Sequence, residues 1–361
     1  MPPGEFTIVA INPGSTSTKL AVYLNDAPRF VKNIRHSDAE LEMFRGGSIL
    51  DQQQFRSAAI EAALNEAECN PSSLHAVAGR GGLLPPLHGG TYVVNEVMLA
   101  ELRLAKRGEH ASNLGAFLAH NIAQKADVPA YVVDPVSVDE LTEHARLSGS
   151  VLLERQSLSH ALNSKAVAKR YAHECGNKYE SLRLIVVHLG SGISVSAHAS
   201  GRMVDVTNSR EEGAFSTERA GGVPAMQLVR LCFEGRYSQS DIERLLFRDG
   251  GLYSYLGTRD LTEVEQRIKS GDLRARGVFE AMIYQIGKEI GAMAAVLRGR
   301  VDVLLVTGGM ANSELVVTAI SDYAHWIAPI RVYPGDDELR ALAEGVLRVL
   351  RGEEEPRFLS R

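Results

Sequence analysis

Apolar residues in the first part of the chain cluster in short runs, which alternate with turns and with segments of helical spacing. Residues 6–11 form a β-rich run, residues 12–16 have turn chemistry, and residues 19–24 form a second apolar run. The pattern predicts further strands at 74–78 and 130–133 and helices at 51–67 and 112–126. This part of the chain therefore opens with a strand, a turn and a strand.

The pattern changes after residue 147, and the second half then opens as the first half does. Residues 184–187 form an apolar run, residues 188–192 a glycine turn, and residues 193–197 a further run. The remaining predicted elements are helices at 161–175, 276–298, 313–326 and 336–350 and strands at 202–206, 301–306 and 330–333. Mixed strands and helices predict an α/β or α+β fold, and the repeated opening indicates that it is built from two similar parts.

Composition narrows the possible functions of this 361-residue chain. Its 39 Lys and Arg against 44 Asp and Glu give a formal net charge of −5, so no overall attraction to nucleic acid or anionic lipid is expected. Three widely spaced cysteines argue against a disulfide framework and suit a reducing compartment. No apolar run approaches the roughly 18 residues of a membrane-spanning helix, and the N-terminus lacks the pattern of a secretory signal. A cytoplasmic protein of about two domains is expected.

Three glycine turns each follow an apolar strand directly, at residues 12–19, 188–194 and 307–311. Glycine lets a phosphate approach backbone N–H groups closely, because no Cβ stands in the way. The first turn adds hydroxyl side chains and the cation Lys19, a set that suits an anion. The chain contains no P-loop motif and no complete dinucleotide fingerprint. One such turn alone is more often a tight hairpin, but three at equivalent places favour a phosphate-binding protein.

Six ordered motifs between Ile8 and about Gly345 resemble the acetokinase family, namely INPGSTSTK, HALNSKAVAKR, HLGSGIS, FSTERAGG, TGGMA and VYPGDDELRALAEG. Within that family, the opening NPGSTSTK most resembles the butyrate kinases. The resemblance implies the two-domain fold of acetate kinases, sugar kinases and actin, with duplicated α/β domains and a nucleotide in the cleft between them. It implies an N-terminal domain over residues 1–147, joined by the C-terminal helix 337–361, and a C-terminal nucleotide-binding domain over residues 148–336.

The reaction implied by the resemblance is ATP plus butanoate giving ADP plus butanoyl phosphate, by direct phosphoryl transfer to the carboxylate. A carboxylate is already ionised at neutral pH, so no general base is needed. Catalysis should consist of aligning two anions and spreading the charge of the transferring phosphoryl group. Branched-chain or other acyl kinases, acting on isobutyrate, propionate or acetate, remain alternatives. So do a non-catalytic, actin-like ATP-binding module and a sugar kinase, in which Asp134 could act as the base.

The resemblance also implies the site residues, with ATP and Mg²⁺ as cofactors. The expected catalytic residues are Asn12, Arg80, Asp134, His160 and Arg219. The expected nucleotide-binding residues are Ser15, Ser17, Lys19, His188, Gly190, Gly192, Gly308 and Gly309. Metal is expected at Asn12, Asp134 and Glu338, with Glu338 preferred over Asp337. The expected partner is a short-chain carboxylate, with no nucleic acid and no membrane, and the protein is expected to be a homo-oligomer.

The acyl pocket is expected at Gly82, Ser159 and His110. Relatives that act on acetate usually carry a bulky apolar residue at the position of Gly82 and Phe at that of Ser159, so both changes should remove volume from the pocket wall. Each additional buried CH₂ contributes about 0.8 kcal/mol, so more room should favour butanoate over acetate about tenfold or more. The chain departs from the usual family pattern at Ser191. It also departs at Ala220, where the family usually has a residue with a hydroxyl group.

Overall fold

The computed structural model describes residues 4–360, which form an α/β protein with two sheets. The strands are β1 (Thr7–Pro13), β2 (Ser17–Leu24), β3 (Ala27–Arg35), β4 (Ala76–Arg80), β5 (Thr91–Val93), β6 (Ala130–Val133), β7 (Leu184–Leu189), β8 (Ile193–Ala199), β9 (Arg202–Val206), β10 (Val303–Gly308), β11 (Ile330–Pro334) and β12 (Arg357–Phe358). The helices are α1 (Asp38–Glu42), α2 (Gln53–Glu66), α3 (Glu96–Leu104), α4 (Leu114–Ala126), α5 (Glu143–Arg146), α6 (Ala161–Glu174), α7 (Ala225–Phe233), α8 (Gln239–Phe247), α9 (Gly251–Leu256), α10 (Leu261–Lys269), α11 (Leu273–Val296), α12 (Glu314–Ala324) and α13 (Glu338–Leu350). Within residues 4–360, no helix combines the length and the apolar character that a membrane crossing requires.

The chain divides into two compact units. The first unit runs to Val138 and resumes at Asp337, and the second spans Asp139–Asp336. Val138 still forms a parallel bridge with Leu87, whereas Thr142 already donates its N–H to the carbonyl of a residue of β9 at 3.0 Å. The change of unit therefore falls at 138/139, earlier than the expected 147/148.

The sheet of the first unit has the strand order β12-β5-β6-β4-β1-β2-β3. Its central strands β1, β4 and β6 are parallel, whereas β2 is antiparallel to both β1 and β3. Helices α4 and α13 both pack against β1, β4 and β6. Parallel neighbours end at the same edge of a sheet, so the residues at the carboxyl ends of these three strands lie along one edge.

The sheet of the second unit has the order β11-β10-β7-β8-β9, which repeats the order β6-β4-β1-β2-β3 of the first. The directions repeat as well, because β7 pairs antiparallel with β8 and parallel with β10, as β1 does with β2 and β4. The duplicated architecture predicted from the repeated opening is thus present in the topology. The predicted α/β class is confirmed.

The long helix α11 supplies much of the core of the second unit. Asp272 caps its N-terminus by accepting the N–H of Ala275 at 2.9 Å, so the helix begins earlier than the predicted residue 276. Met282, Ile286 and Ile290 are 0% exposed, as their four-residue spacing on one helix face predicts. The helix therefore covers the second sheet with its predicted apolar face.

A buried polar cluster lies in the second unit at Glu140, Lys165, Tyr179 and His198. Lys165 Nζ contacts Glu140 Oε2 at 2.8 Å, and their side chains are only 3% and 4% exposed. The Tyr179 hydroxyl lies 2.6 Å from His198 Nδ1. Burial, together with the charge of Lys165, lowers the pKa of His198 from 6.5 to about 3. His198 is therefore neutral in the folded protein over the whole physiological range.

Acidification is expected to destabilise the protein through His198. The unfolded chain binds a proton on this imidazole below about pH 6.5, and the folded protein does not until about pH 3. The contribution of neutral His198 to the free energy of unfolding is thus complete above pH 6.5. It is lost as the pH falls, by up to about 1.4 kcal/mol per pH unit. Urea unfolding of the wild type and of His198→Gln near neutral pH and near about pH 5 measures this loss. The same pH dependence in both proteins would contradict the assignment.

Candidate active site

Three parallel strands of the first unit place predicted site residues at one sheet edge. Asn12 lies near the end of β1, Arg80 is the last residue of β4, and Asp134 follows β6 directly. The N-terminus of α13 adds Glu338, because this helix packs on the same three strands. Residues far apart in sequence therefore come together because the strands are parallel and the last helix returns to this sheet.

The carboxylate of Glu338 is held between two of these side chains. Asn12 Nδ2 donates to Glu338 Oε2, and Arg80 Nη1 donates to Oε1. The ion pair is largely shielded, since the side chains of Arg80 and Glu338 are 11% and 18% exposed. Asp337 has a different task, because it caps α13 by accepting the N–H of Arg340 at 3.1 Å. The preference for Glu338 over Asp337 as the metal-side carboxylate stays a prediction.

Asp134 lies at the end of β6 with a positive φ of 36° and is 2% exposed. Its Oδ1 accepts the N–H of Gly90 at 2.7 Å, and its own N–H donates to the Gly90 carbonyl at 3.0 Å. These bonds fix the carboxyl at the sheet edge in a conformation that few residues besides Asn, Asp and Gly adopt readily. A role for Asp134 in positioning metal or Arg80 stays a prediction.

The first predicted phosphate turn joins β1 and β2. Gly14 donates its N–H to the Ser17 carbonyl at 2.7 Å and closes the turn. Ser15 and Lys19 are exposed, and Ser17 is half-buried. Lys19 pairs with Asn12 in the antiparallel ladder between β1 and β2. The backbone of this cationic residue therefore lies beside that of Asn12 at the sheet edge.

In the second unit, His188 lies near the end of β7 and is 4% exposed. Its Nδ1 lies 2.8 Å from Asn163 Oδ1, an atom that can only accept, so the proton of Nδ1 points to Asn163. Nε2 then faces Gly190, where it lies 3.2 Å from the position that a Cβ would occupy. Asn163 was not predicted as a site residue, although it lies in the HALNSKAVAKR motif.

His160 stacks on His188, with ring centroids 3.8 Å apart and planes inclined by 11°. Its Nδ1 lies 3.0 Å from Ser194 Oγ on β8. When Ser194 donates to Nδ1, the proton of neutral His160 lies on Nε2, where it can be donated to an oxyanion. The structure thus brings the two predicted histidines together beside the second glycine turn.

Arg219 reaches the same glycine turn. Its Nη1 donates to the Ser209 carbonyl at 3.1 Å, and its guanidinium fills the space beside Gly192, where a Cβ would lie 2.6 Å from Nη1. Ser216 ties the two segments together, since its Oγ donates to the Ser191 carbonyl and accepts the N–H of Arg219 at 3.1 Å. Burial lowers the pKa of Arg219. Sequence patterns did not indicate the part played by Ser209 and Ser216.

The third glycine turn lies beside the second. Gly308 has a φ of 94°, and a Cβ there would strike the main chain of Leu189, so only glycine fits. A cavity of about 440 Å³ in the second unit adjoins both turns. It is lined by Gly190, Ser191, Thr217, Arg259, Asp260, Leu261, Thr262, Glu265, Gly309, Met310, Asn312 and Ser313.

The polar residues of this cavity that were not predicted from the sequence are Thr217, Arg259, Asp260, Thr262, Glu265, Asn312 and Ser313. Arg259 is held by Asp249 at 2.9 Å, and its guanidinium carbon lies 3.6 Å from the centre of a tyrosine ring of α9. Glu265 accepts the hydroxyl of a serine that caps α12 at 2.5 Å. Thr217 lies in the FSTERAGG motif. Arg259, Asp260 and Glu265 lie outside the six motifs, in or just before α10, so only the fold brings them to the cavity.

The three predicted acyl-pocket residues lie in different surroundings. Gly82 is buried, and a Cβ there would lie 2.6 Å from the Cα of Asn113, so the volume that it leaves is already filled. The expectation that Gly82 widens a pocket is therefore corrected, because this glycine permits close packing of two backbone segments. Ser159 is 5% exposed and lies 3.8 Å from Met203 Sδ. His110 accepts the N–H of Ser112 at 3.2 Å near the start of α4.

Comparison with known proteins identifies relatives along nearly the whole chain. The model of the acetokinase family matches residues 152–325. Butyrate kinase 1 of Clostridium acetobutylicum is 50% identical over 350 residues, which cover 97% of this chain and 98% of that protein. Acetate kinase of Porphyromonas gingivalis has a similar structure, with a TM-score of 0.77 and 19% identity over 94% of this chain and 99% of that one. Acetate kinase of Entamoeba histolytica has a TM-score of 0.76 and 18% identity over 94% and 98%. The chain therefore has the predicted acetate kinase fold.

Proposed function

Because this chain belongs to the acetokinase family, we propose that it is a butyrate kinase, which transfers the γ-phosphoryl group of ATP to the carboxylate of butanoate. The observation that carries the proposal is the 50% identity to a butyrate kinase over 97% of the chain. The family predicted from six ordered motifs is confirmed by this match. The substrate assignment also agrees with the site, which holds arginines and histidines suited to two anions.

The first unit supplies the means to bind a carboxylate. A guanidinium can hold a carboxylate through two parallel hydrogen bonds, and Arg80 already contacts one, that of Glu338. We propose that Arg80 binds the carboxylate of butanoate and offsets its repulsion from the incoming phosphoryl group. Glu338 contacts the guanidinium of Arg80, and Asn12 contacts Glu338. These two residues would keep the guanidinium aligned with the reacting oxygens. No general base is required, since the nucleophile is an ionised carboxylate.

The second unit supplies donors for the phosphoryl group. Arg219 lies against Gly192, and His188, on which His160 stacks, lies against Gly190. Their donors are fixed in place by Ser209, Ser194 and Asn163 before any substrate binds. Donors that are already oriented toward developing charge stabilise the transition state without reorganising. We propose that Arg219 and His160 donate to the oxygens of the phosphoryl group in transfer, with His188 beside the nucleotide phosphates.

Magnesium fits the donor set of the first unit. In the described residues no three His, Cys, Asp or Glu side chains converge to form a closed metal site. Mg²⁺ does not need one, because it usually keeps several waters and binds one or two carboxylates together with substrate phosphates. Glu338 and Asp134, with the oxygen of Asn12, are oxygen ligands of the required kind at one sheet edge. When bound there with ATP, the ion would neutralise phosphate charge.

The nucleoside of ATP is assigned to the cavity between the second and third glycine turns of the second unit. Its volume of about 440 Å³ lies within the range of small-molecule sites. Backbone at Gly190 and Gly309 can approach phosphates, whereas Asp260 and Glu265 offer acceptors for ribose hydroxyls. The lysine and serines of the first turn, Lys19, Ser15 and Ser17, are proposed for the terminal phosphates. A cytoplasmic location and a homo-oligomer stay predictions.

A panel of carboxylic acids is expected to show a preference for butanoate. We expect kcat/KM for butanoate to exceed that for acetate by about tenfold or more, because each buried CH₂ adds about 0.8 kcal/mol. The measurement is ADP release with ATP and Mg²⁺ across acetate, propionate, butanoate, isobutanoate and pentanoate. A preference for acetate would contradict the butanoate assignment and leave carboxylate phosphorylation standing. A preference for isobutanoate would move the assignment to a branched-chain acyl kinase.

A further inference from the structure

Arg56 of α2 is a fully buried cation directly behind the turn that joins β1 and β2. Its Nε and Nη2 donate to Gln52 Oε1 at 3.0 and 2.9 Å. Its Nη1 donates to the Ser17 carbonyl at 3.0 Å and to Thr18 Oγ1 at 2.9 Å, and Nη2 donates to the Ser15 carbonyl at 3.1 Å. An arginine has five N–H donors, so these contacts satisfy the whole guanidinium, and three of them go to the turn and the first two residues of β2.

The acceptors around Arg56 are neutral. Gln52, Ser15, Ser17 and Thr18 offer amide, carbonyl and hydroxyl oxygens. Burial lowers the pKa of Arg56 to about 10, which leaves the guanidinium charged at neutral pH. A buried charge is costly when hydrogen bonds to neutral groups are its main compensation. The turn therefore has a fixed positive charge behind it, which an anion in front of the turn would offset.

The hydrogen bonds of Arg56 also set the direction of the turn peptides. The Ser15 carbonyl points to Arg56, and no cis peptide bond occurs in the described residues. In a trans peptide the C=O and the next N–H point in opposite directions, so the N–H of Thr16 points away from Arg56. Ser15 and Thr16 are both exposed. An N–H at the exposed side of the turn is thus held outward by a cation on the buried side.

We infer that Arg56 is a positioning residue for the nucleotide phosphates. It turns the carbonyls of Ser15 and Ser17 inward, presents the N–H of Thr16 outward, and places a positive charge behind the site. The inference rests on the proposed function, because it assigns a phosphate to this turn. The glycine and hydroxyl residues of the turn could be identified in the sequence, but the buried arginine that orders them lies on another element.

The test compares two substitutions of Arg56 with a matched control. Arg56→Met removes the charge and all five donors, whereas Arg56→Lys keeps the charge and loses the planar fork. The control is Arg155→Lys in the second unit, where Arg155 similarly donates to the Val206 carbonyl at 3.0 Å and is held by Asp205 and Glu212. Urea unfolding establishes that each variant is folded at the assay temperature. ATP affinity is then measured by calorimetry without butanoate, followed by kcat and both KM values.

Arg56→Met is expected to weaken ATP binding about tenfold or more and to raise KM for ATP by a similar factor, with kcat and KM for butanoate changed by less than about threefold. Arg56→Lys should lie between the wild type and Arg56→Met. Arg155→Lys should lower the urea midpoint while leaving ATP affinity within about twofold of the wild type. Hydrogen exchange at residues 15–18 should quicken in the Arg56 variants alone.

The inference is overturned if folded Arg56→Met binds ATP within about twofold of the wild type, or if Arg155→Lys weakens ATP binding as much. If Arg56→Met does not fold, Arg56→Lys decides, and unchanged ATP affinity in that variant overturns the inference. The proposed function can fail separately. If the wild type binds ATP but forms no butanoyl phosphate, only the butyrate kinase assignment is refuted. The role of Arg56 in ATP binding is then tested by the same measurement of ATP affinity.

Discussion

Replacing Arg80 with alanine is expected to lower kcat for butanoate by about 10²–10³-fold, with ATP affinity changed by less than about threefold. Arg80 is proposed to bind the substrate carboxylate, and its loss removes a charge that matters most when two anions approach. Steady-state kinetics with saturating ATP, together with ATP calorimetry, measure both quantities. Arg107→Ala removes an exposed arginine of the same unit and should change neither.

The Arg80 variant needs one further comparison, because Arg80 contacts Glu338. Without Arg80, the Glu338 carboxylate would keep its hydrogen bond from Asn12 and would repel a phosphate. The double variant Arg80→Ala/Glu338→Gln removes that repulsion. We expect it to remain about 10²-fold below the wild type, because the substrate carboxylate still lacks its guanidinium. Recovery to near wild-type kcat would show that Arg80 serves only to neutralise Glu338.

Replacing Arg219 with alanine is expected to lower kcat by about 10²-fold or more, while KM for butanoate changes little. The guanidinium is held against Gly192 by the Ser209 carbonyl, so its donors are in place before the phosphoryl group arrives. Arg276→Ala, which removes an exposed arginine from the same unit, is the matched control. Full kcat in folded Arg219→Ala would rule out a role in phosphoryl transfer.

A second substitution tests the position of Arg219 without removing it. In Gly192→Ala the new Cβ would lie 2.6 Å from Nη1 and 2.8 Å from Cζ, so the guanidinium must move. We expect a kcat loss of at least about tenfold in this variant, with the charge still present. A Gly192→Ala enzyme with wild-type kcat would show that the place of the guanidinium does not matter.

The sequence predicted the parts of the fold that depend on repeated local pattern. The four-residue spacing of Met282, Ile286 and Ile290 predicted the buried face of α11, and the strand–turn–strand openings predicted the duplicated sheets. The helices α7 to α10 were not predicted. Helix α7 has an apolar face at Met226, Val229 and Phe233, but all three side chains are exposed, so this face does not pack into the core that the other predictions followed. Strand β3 was also missed, since none of its residues is fully buried.

Residues of the candidate site could be predicted where a sequence motif contains them. Contacts between residues that are far apart in the sequence could not be predicted. His160 and Arg219 were named from motifs, and Arg80 was named from the family resemblance at a position just after a predicted strand. The pairing of Asn163 with His188 and of Arg80 with Glu338 depends on which elements pack together, which no local pattern encodes. At Gly82 the prediction was wrong in another way, because the absence of a side chain was interpreted as open space in the acyl pocket. The structure fills that space with Asn113, whose main chain packs closely against Gly82.

In the proposed reaction a carboxylate oxygen of butanoate attacks the γ-phosphorus of ATP. Butanoate labelled with ¹⁸O in both carboxylate oxygens, incubated with the enzyme, ATP and Mg²⁺, tests it when the product is trapped with hydroxylamine. Hydroxylamine attacks the acyl carbon and releases phosphate, which should carry a single ¹⁸O from the bridging position, alongside butanoyl hydroxamate. Phosphate without ¹⁸O, or labelled butanoate recovered intact while a hydroxyl compound is phosphorylated, would contradict direct phosphoryl transfer to the carboxylate.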